Sequence, residues 1–189
     1  MTSAPGGELS ITLVRHGETD WNHTRTIQGQ TNAVPLNAAG REQVRAVAAS
    51  LQEVGFDQLV SSDLQRAMES ALIIGEALAL APKSDSLLRE RSFGELEGHQ
   101  YDEHTNDVMG IDGNAYVDLD ARPLGGESFR DVIERARRFL ERADEEWPGQ
   151  RVLLVTHGGM IQALRAVASR EPLEGTPWYR VGNCSVWTL

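Results

Sequence analysis

Two short runs, Leu9-Ser10-Ile11-Thr12-Leu13-Val14 and Val152-Leu153-Leu154-Val155-Thr156, constrain this chain more than anything else in it. Both have the length and β-branched content of a strand and are mostly apolar on both faces, so helices must cover each from two sides. Each stops abruptly at a histidine followed by glycine, Arg15-His16-Gly17 and His157-Gly158-Gly159. Helical periods lie between and around them. Residues 38–54 put Val44, Val47, Ala48, Leu51 and Val54 on one face, and residues 64–78 do the same with Leu64, Met68, Ala71, Leu72 and Leu78. Residues 129–147 carry the stripe Phe129, Val132, Ile133, Ala136, Leu140 and Ala143, and a further helix is expected at 160–169.

Short strands are expected at 56–60 and 86–88, with an edge strand at 184–189 and a turn and helix cap at Ser61-Ser62-Asp63. Alternating strands and helices without an internal repeat predict an α/β chain: a single three-layer α/β/α domain with a mostly parallel central sheet. Residues 1–8 read as a flexible leader and 9–189 as one folded domain. A glycine-rich excursion at 94–126 interrupts it, and from Glu95 to Asp120 this excursion has eight acids and no Lys or Arg.

The 189 residues are enough for one core without disulfides, and Cys184 is the single cysteine. It is read as a small buried hydrophobe. With 18 Lys and Arg against 28 Asp and Glu, the net charge of −10 opposes binding to nucleic acid or an acidic membrane. No apolar leader or membrane-spanning run is present, so the expected location is cytoplasmic, as a monomer or homodimer. His99, Asp102, Glu103 and His104 are read as exposed polar loop and not as metal ligands, because residues five apart on a helix do not share a face.

In an open α/β sheet, ligands bind beyond the carboxyl ends of strands, where the following helices present unpaired N–H groups. His16 and His157 are both expected there. The segment from Leu13 through Arg15, His16, Gly17, Glu18 and Thr19 to Asn22 resembles the signature of the histidine phosphatase superfamily, the phosphoglycerate mutase-like family. Ser61-Ser62-Asp63-Leu64-Gln65-Arg66-Ala67, Glu90-Arg91-Ser92-Phe93-Gly94 and Thr156-His157-Gly158-Gly159 are similar to its later motifs, in family order along nearly the whole chain.

The resemblance implies a histidine phosphatase-like fold and a phosphatase with a covalent phosphohistidine on His16. Arg15, Arg66 and His157 would surround the phosphoryl group, with Asn22 and Gly158 as further phosphate-binding positions, and Glu90 would be the proton donor. His23, Gln28, Gly29, Arg89, Arg91 and Tyr101 are the expected substrate mouth, and Tyr116 could join them. Neither metal nor cofactor is implied. The substrate would be a small-molecule phosphomonoester, and acids over the mouth would favour esters with a neutral or amine-bearing alcohol. The chain lacks the basic segment that family mutases resemble having between the third and fourth motifs, which sets a cofactor-dependent phosphoglycerate mutase or related phosphotransferase second. A non-catalytic, phosphate-recognising interaction module is the third reading.

Gly125-Gly126-Glu127-Ser128 is expected to be a turn and N-cap ahead of the long helix.

Overall fold

The computed structural model describes residues 7–110, 118–170 and 180–189. Five strands form one sheet: β1 (Ser10–Arg15), β2 (Gln58–Ser61), β3 (Lys83–Ser84), β4 (Arg151–Thr156) and β5 (Val186–Thr188), in spatial order β3-β2-β4-β1-β5. All neighbours are parallel except β5, which runs antiparallel to β1 at the edge. Six α-helices are described: α1 (Asp20–His23), α2 (Ala38–Leu51), α3 (Gln65–Leu78), α4 (Glu103–Met109), α5 (Phe129–Glu146) and α6 (Gly158–Ser169). None of them is long and apolar enough to cross a membrane.

Successive strand residues feed opposite layers, as a pleated strand requires. Val14, Leu59, Leu153 and Val155 pack with Val44, Ala48, Leu51, Ala67, Ala71 and Ile74 of α2 and α3. Leu13, Val60, Val152 and Leu154 instead pack with Val132, Ile133, Ala136, Phe139, Met160, Ile161 and Leu164 of α5 and α6. This is the expected three-layer α/β/α domain with its mostly parallel sheet.

The differences from expectation are local. Helix α2 ends at Leu51, and Val54 is exposed before Gly55 turns the chain at φ +70°. On α3 the buried face is Arg66, Ala67, Ser70, Ala71, Ile74 and Gly75, so Leu72 points outward at 56% exposure. The stripe of α5 runs through Phe139, which is buried, while Leu140 only packs against its edge. Residues 86–88 form a 3-10 turn and not a strand, because Asp85 accepts from the Leu87 N–H; the pairing strand is β3, just before it.

Asp63 does not cap α3. It pairs with Arg89, and it is Ser62 Oγ that accepts the Leu64 N–H. Ser128 caps α5 in a reciprocal box with Asp131. Cys184 is half-buried on a left-handed backbone. Most of the expected leader, up to residue 6, lies outside the described residues, as do Tyr116 and the rest of 111–117 within the acidic excursion.

Candidate active site

Pairing of β1 with β4 places Arg15 opposite Thr156, and the His16 N–H donates to the Thr156 carbonyl at 3.0 Å. The two histidines therefore leave adjacent strands side by side. Both are buried, with ring centroids 5.1 Å apart. His16 Nδ1 lies 2.7 Å from the Gly17 carbonyl. A carbonyl only accepts, so Nδ1 carries the ring proton and Nε2 keeps its lone pair. Burial first, then the charges of Arg15 and Arg66, hold this imidazole well below its usual pKa and keep it neutral.

His157 is fixed from its other side. Ser62 Oγ accepts from the Leu64 N–H at 3.3 Å and lies 2.8 Å from His157 Nε2. Among the described residues the Ser62 hydroxyl has no other acceptor than Nε2, and giving its proton there puts the ring proton of His157 on Nδ1. Burial, followed by Arg66 and His16, keeps this ring neutral as well.

Arg66 enters from the first turn of α3 and is almost wholly buried. It donates to the carbonyls of Thr31 at 3.0 Å and Gly29 at 2.6 Å, and burial lowers its pKa to about 10. Arg15 donates to the Val181 carbonyl, and burial lowers its pKa too. Arg15 Nε, Arg66 Nε and His157 Nδ1 are buried polar nitrogens without a hydrogen-bond partner among the described residues. Convergent N–H donors of this kind suit a tetrahedral oxyanion. The Asn22 carbonyl oxygen accepts from Thr19 N, Thr19 Oγ1 and Asn183 Nδ2, which turns its NH₂ away from them. Asn183 also donates to the His16 carbonyl at 3.0 Å.

Glu90 is anchored at the same cavity by the N–H groups of Arg91 at 2.8 Å and Gly159 at 3.1 Å. A Cβ on Gly159 would stand 2.3 Å from the Glu90 carboxylate, so residue 159 must be glycine for that contact. Arg135 fastens the preceding segment. It donates to the carbonyls of Leu87, Arg89 and Glu90 and pairs with Glu127. The Glu127 carboxylate in turn accepts the Ser92 N–H.

The cavity measures about 290 Å³ and takes in Arg15, His16, Asn22, Arg66, Glu90 and Gly158 of the expected set. His157 lies just behind this lining, against His16. Of the expected mouth, Gln28, Gly29 and Tyr101 line it. Tyr101 is 37% exposed as a residue, but its hydroxyl end is enclosed, and burial pushes its pKa up to about 12. His23, Arg89 and Arg91 do not line it. His23 is exposed at the end of α1, and Arg89 is held by Asp63. Arg91 is buried against the carbonyls of Glu127 and Ala121.

None of the described acids of the 95–120 excursion faces the cavity. Glu97 binds Gln30 N, Thr31 Oγ1 and Phe93 N, Asp102 caps α4, and Asp120 pairs with Arg130. The mouth carries Arg25 and Arg180 instead, two residues that no local sequence pattern singles out.

A mostly parallel sheet and the first turn of α3 bring two neutral histidines and two buried arginines together at one small cavity of an α/β domain, an arrangement suited to a phosphoryl-sized anion. The chain belongs to the histidine phosphatase superfamily, branch 1, whose sequence model matches residues 11–189. It is 37% identical over 183 residues to "Probable phosphoglycerate mutase GpmB" of Salmonella paratyphi A, across 94% of this chain and 83% of that one. The structure of mycobacterial glucosyl-3-phosphoglycerate phosphatase Rv2419c complexed with VO3 superposes with a TM-score of 0.86. That protein is 33% identical, over 95% of this chain and 91% of its own. Bacillus stearothermophilus YhfR superposes at 0.83 with 30% identity, over 95% and 90%. The protein is thus a hydrolase of the histidine phosphatase type.

Proposed function

We propose that this protein is a metal-independent phosphomonoesterase that works through a phosphohistidine on His16, with residues 9–189 as its one catalytic domain. His16 Nε2 attacks phosphorus in line, and Arg15, Arg66, Asn22, His157 and the Gly158 N–H hold the equatorial oxygens. Glu90 gives its proton to the departing alkoxide. Water then attacks the phosphohistidine, Glu90 takes the proton back, and inorganic phosphate leaves. The two guanidinium groups supply the charge that a phosphoryl transition state spreads over three oxygens, the task a divalent ion performs in other phosphoryl-transfer enzymes.

The observation that carries this reading is the commitment of His16 Nδ1 to the Gly17 carbonyl, which leaves a neutral nucleophilic nitrogen among unpartnered donors. Acidic composition and a lone cysteine support a cytoplasmic protein without nucleic-acid partners.

A phosphomonoester panel run with and without chelator tests the reading. Phosphate release should persist in chelator, orthovanadate should inhibit, and His16→Ala should abolish turnover. Rapid quench in alkaline detergent, where the P–N bond survives, should trap phosphorus on residue 16. Loss of activity in chelator, or phosphorus on another side chain, would overturn it. The name carried by the Salmonella relative favours a mutase as the second reading. That reading requires 2,3-bisphosphoglycerate-stimulated interconversion of phosphoglycerates without net phosphate release.

A further inference from the structure

The two negative charges of a phosphomonoester dianion are matched at the base of the cavity by Arg15 and Arg66. Two further guanidinium groups line the same cavity and have no task in that chemistry, Arg25 and Arg180. Both residues are exposed, and neither has an ion-pair partner among the described residues. Arg41, Arg89, Arg122, Arg130, Arg135 and Arg142 each pair with a carboxylate. Among the described residues, the only acid that lines the cavity is Glu90, and two backbone N–H groups already hold it.

The placement of Arg25 is enforced. Its backbone is left-handed at φ +57°, a conformation that costs an arginine energy that glycine or asparagine largely avoids. The turn is pinned on both sides. The Tyr101 N–H donates to the Arg25 carbonyl at 2.9 Å, and Thr26 bridges Gln100. Arg180 is close enough to Arg15 and the Tyr101 hydroxyl for its charge to act on both. Trp21, Phe93 and Val181 give the wall an apolar part.

We infer that Arg25 and Arg180 form a second anion subsite, which selects phosphomonoesters whose alcohol carries its own carboxylate or phosphate group beyond a short apolar or aromatic spacer. The inference rests on the phosphatase reading and names the substrate class of that same cavity. It reverses the expectation that acids over the mouth would repel such esters.

The test compares 4-carboxyphenyl phosphate with its isostere 4-carbamoylphenyl phosphate at low ionic strength. The carboxamide withdraws more electron density and makes the better leaving group, so leaving-group chemistry favours the opposite order. The carboxylate ester should show about tenfold higher kcat/KM, the scale of one charge-assisted hydrogen bond, and the gain should lie in KM. Propane-1,3-diol bisphosphate against 3-hydroxypropyl phosphate asks the same of a second phosphate and ranks the two anions.

In Arg25→Asn, which suits the left-handed backbone, and in Arg180→Gln, the ratio should fall about threefold each. In the double variant it should approach one. A partly misfolded variant lowers both rates together and leaves the ratio unchanged, so the ratio is its own control. Equal kcat/KM for both esters in the wild-type protein, or a preference that survives the double substitution, would overturn the subsite while leaving the phosphatase intact. If no ester is hydrolysed, the phosphatase reading fails by itself. Calorimetric binding of the same pair then decides the subsite, tighter binding of the carboxylate supporting it and equal binding refuting it.

Discussion

Ser62 shows how one hydroxyl sets the chemistry of a histidine it does not resemble in role. By taking the Leu64 N–H and giving its own proton to His157 Nε2, it leaves Nδ1–H as the donor on the other edge of the ring. Ser62→Ala frees the imidazole to adopt the other tautomer, which would turn a lone pair toward a phosphoryl oxygen. The expected result is a roughly tenfold lower kcat, about 1.4 kcal/mol of transition-state stabilisation, with Ser62→Thr retaining most of the rate. Nitrogen-15 shifts of the His157 ring should report the tautomer change directly. An unaltered tautomer in the alanine variant would remove Ser62 from this role. In the sequence Ser62 is visible only as part of an expected cap, but α3 has Leu64 as its N-cap and no side-chain cap bond, and Ser62 Oγ takes the Leu64 N–H just before the helix. Its second bond runs to a residue 95 positions away and leaves no local pattern.

At the scale of elements, close approach of backbone to backbone positions the nucleophile. The first turn of α2 lies so near the segment after β1 that a Cβ on Gly40 would meet the Glu18 carbonyl at 2.1 Å, and one on Gly17 would meet the Gly40 carbonyl at 2.5 Å. Backbone cannot swing aside as a flexible side chain can. Gly40→Ala should therefore cost about 2 kcal/mol, the usual scale of overpacking, and raise KM by shifting the loop that holds His16. Thermal unfolding and steady-state kinetics check the two halves separately.

Helix α5 offers a milder perturbation. Ser128→Ala removes the cap oxygen that accepts the Asp131 N–H and should cost about 1 kcal/mol, a fall of about 2–4 °C in Tm for a domain of this size. An unchanged Tm would mean that Asp131 and solvent satisfy that helix end without it.

The molecule as a whole stores a pH dependence in its two buried rings. His16 and His157 have pKa values held well below 6.5 by burial and neighbouring arginines, so the native state leaves them neutral where the unfolded chain protonates them. The unfolded state then binds more protons below about pH 6.5, and stability falls as pH drops from there toward the depressed native values. The slope should reach about 1.4 kcal/mol per pH unit for each ring. Denaturant midpoints measured from pH 7.5 down to 5 should decline accordingly, and replacing His157 with Gln should flatten the decline. A flat profile in the wild-type protein would mean that the rings are hydrated and titrate normally.

Local pattern determined a good deal of this protein. The apolar periods located β1, β4, α2, α3, α5 and α6 to within a few residues, because burial on a helix face or in a covered strand repeats over neighbouring positions. The His-Gly endings of the two strands and the motif order marked Arg15, His16, Arg66, Glu90 and His157, which the fold gathers around one cavity. Tertiary structure alone decided which other arginines matter. Arg89 and Arg91 stand beside Glu90 in sequence yet turn to Asp63 and to the Glu127 and Ala121 carbonyls, while Arg25 and Arg180 reach the mouth. The direction of a long charged side chain is set by the acids and carbonyls that folding brings near it, and these come from chain segments far away in sequence.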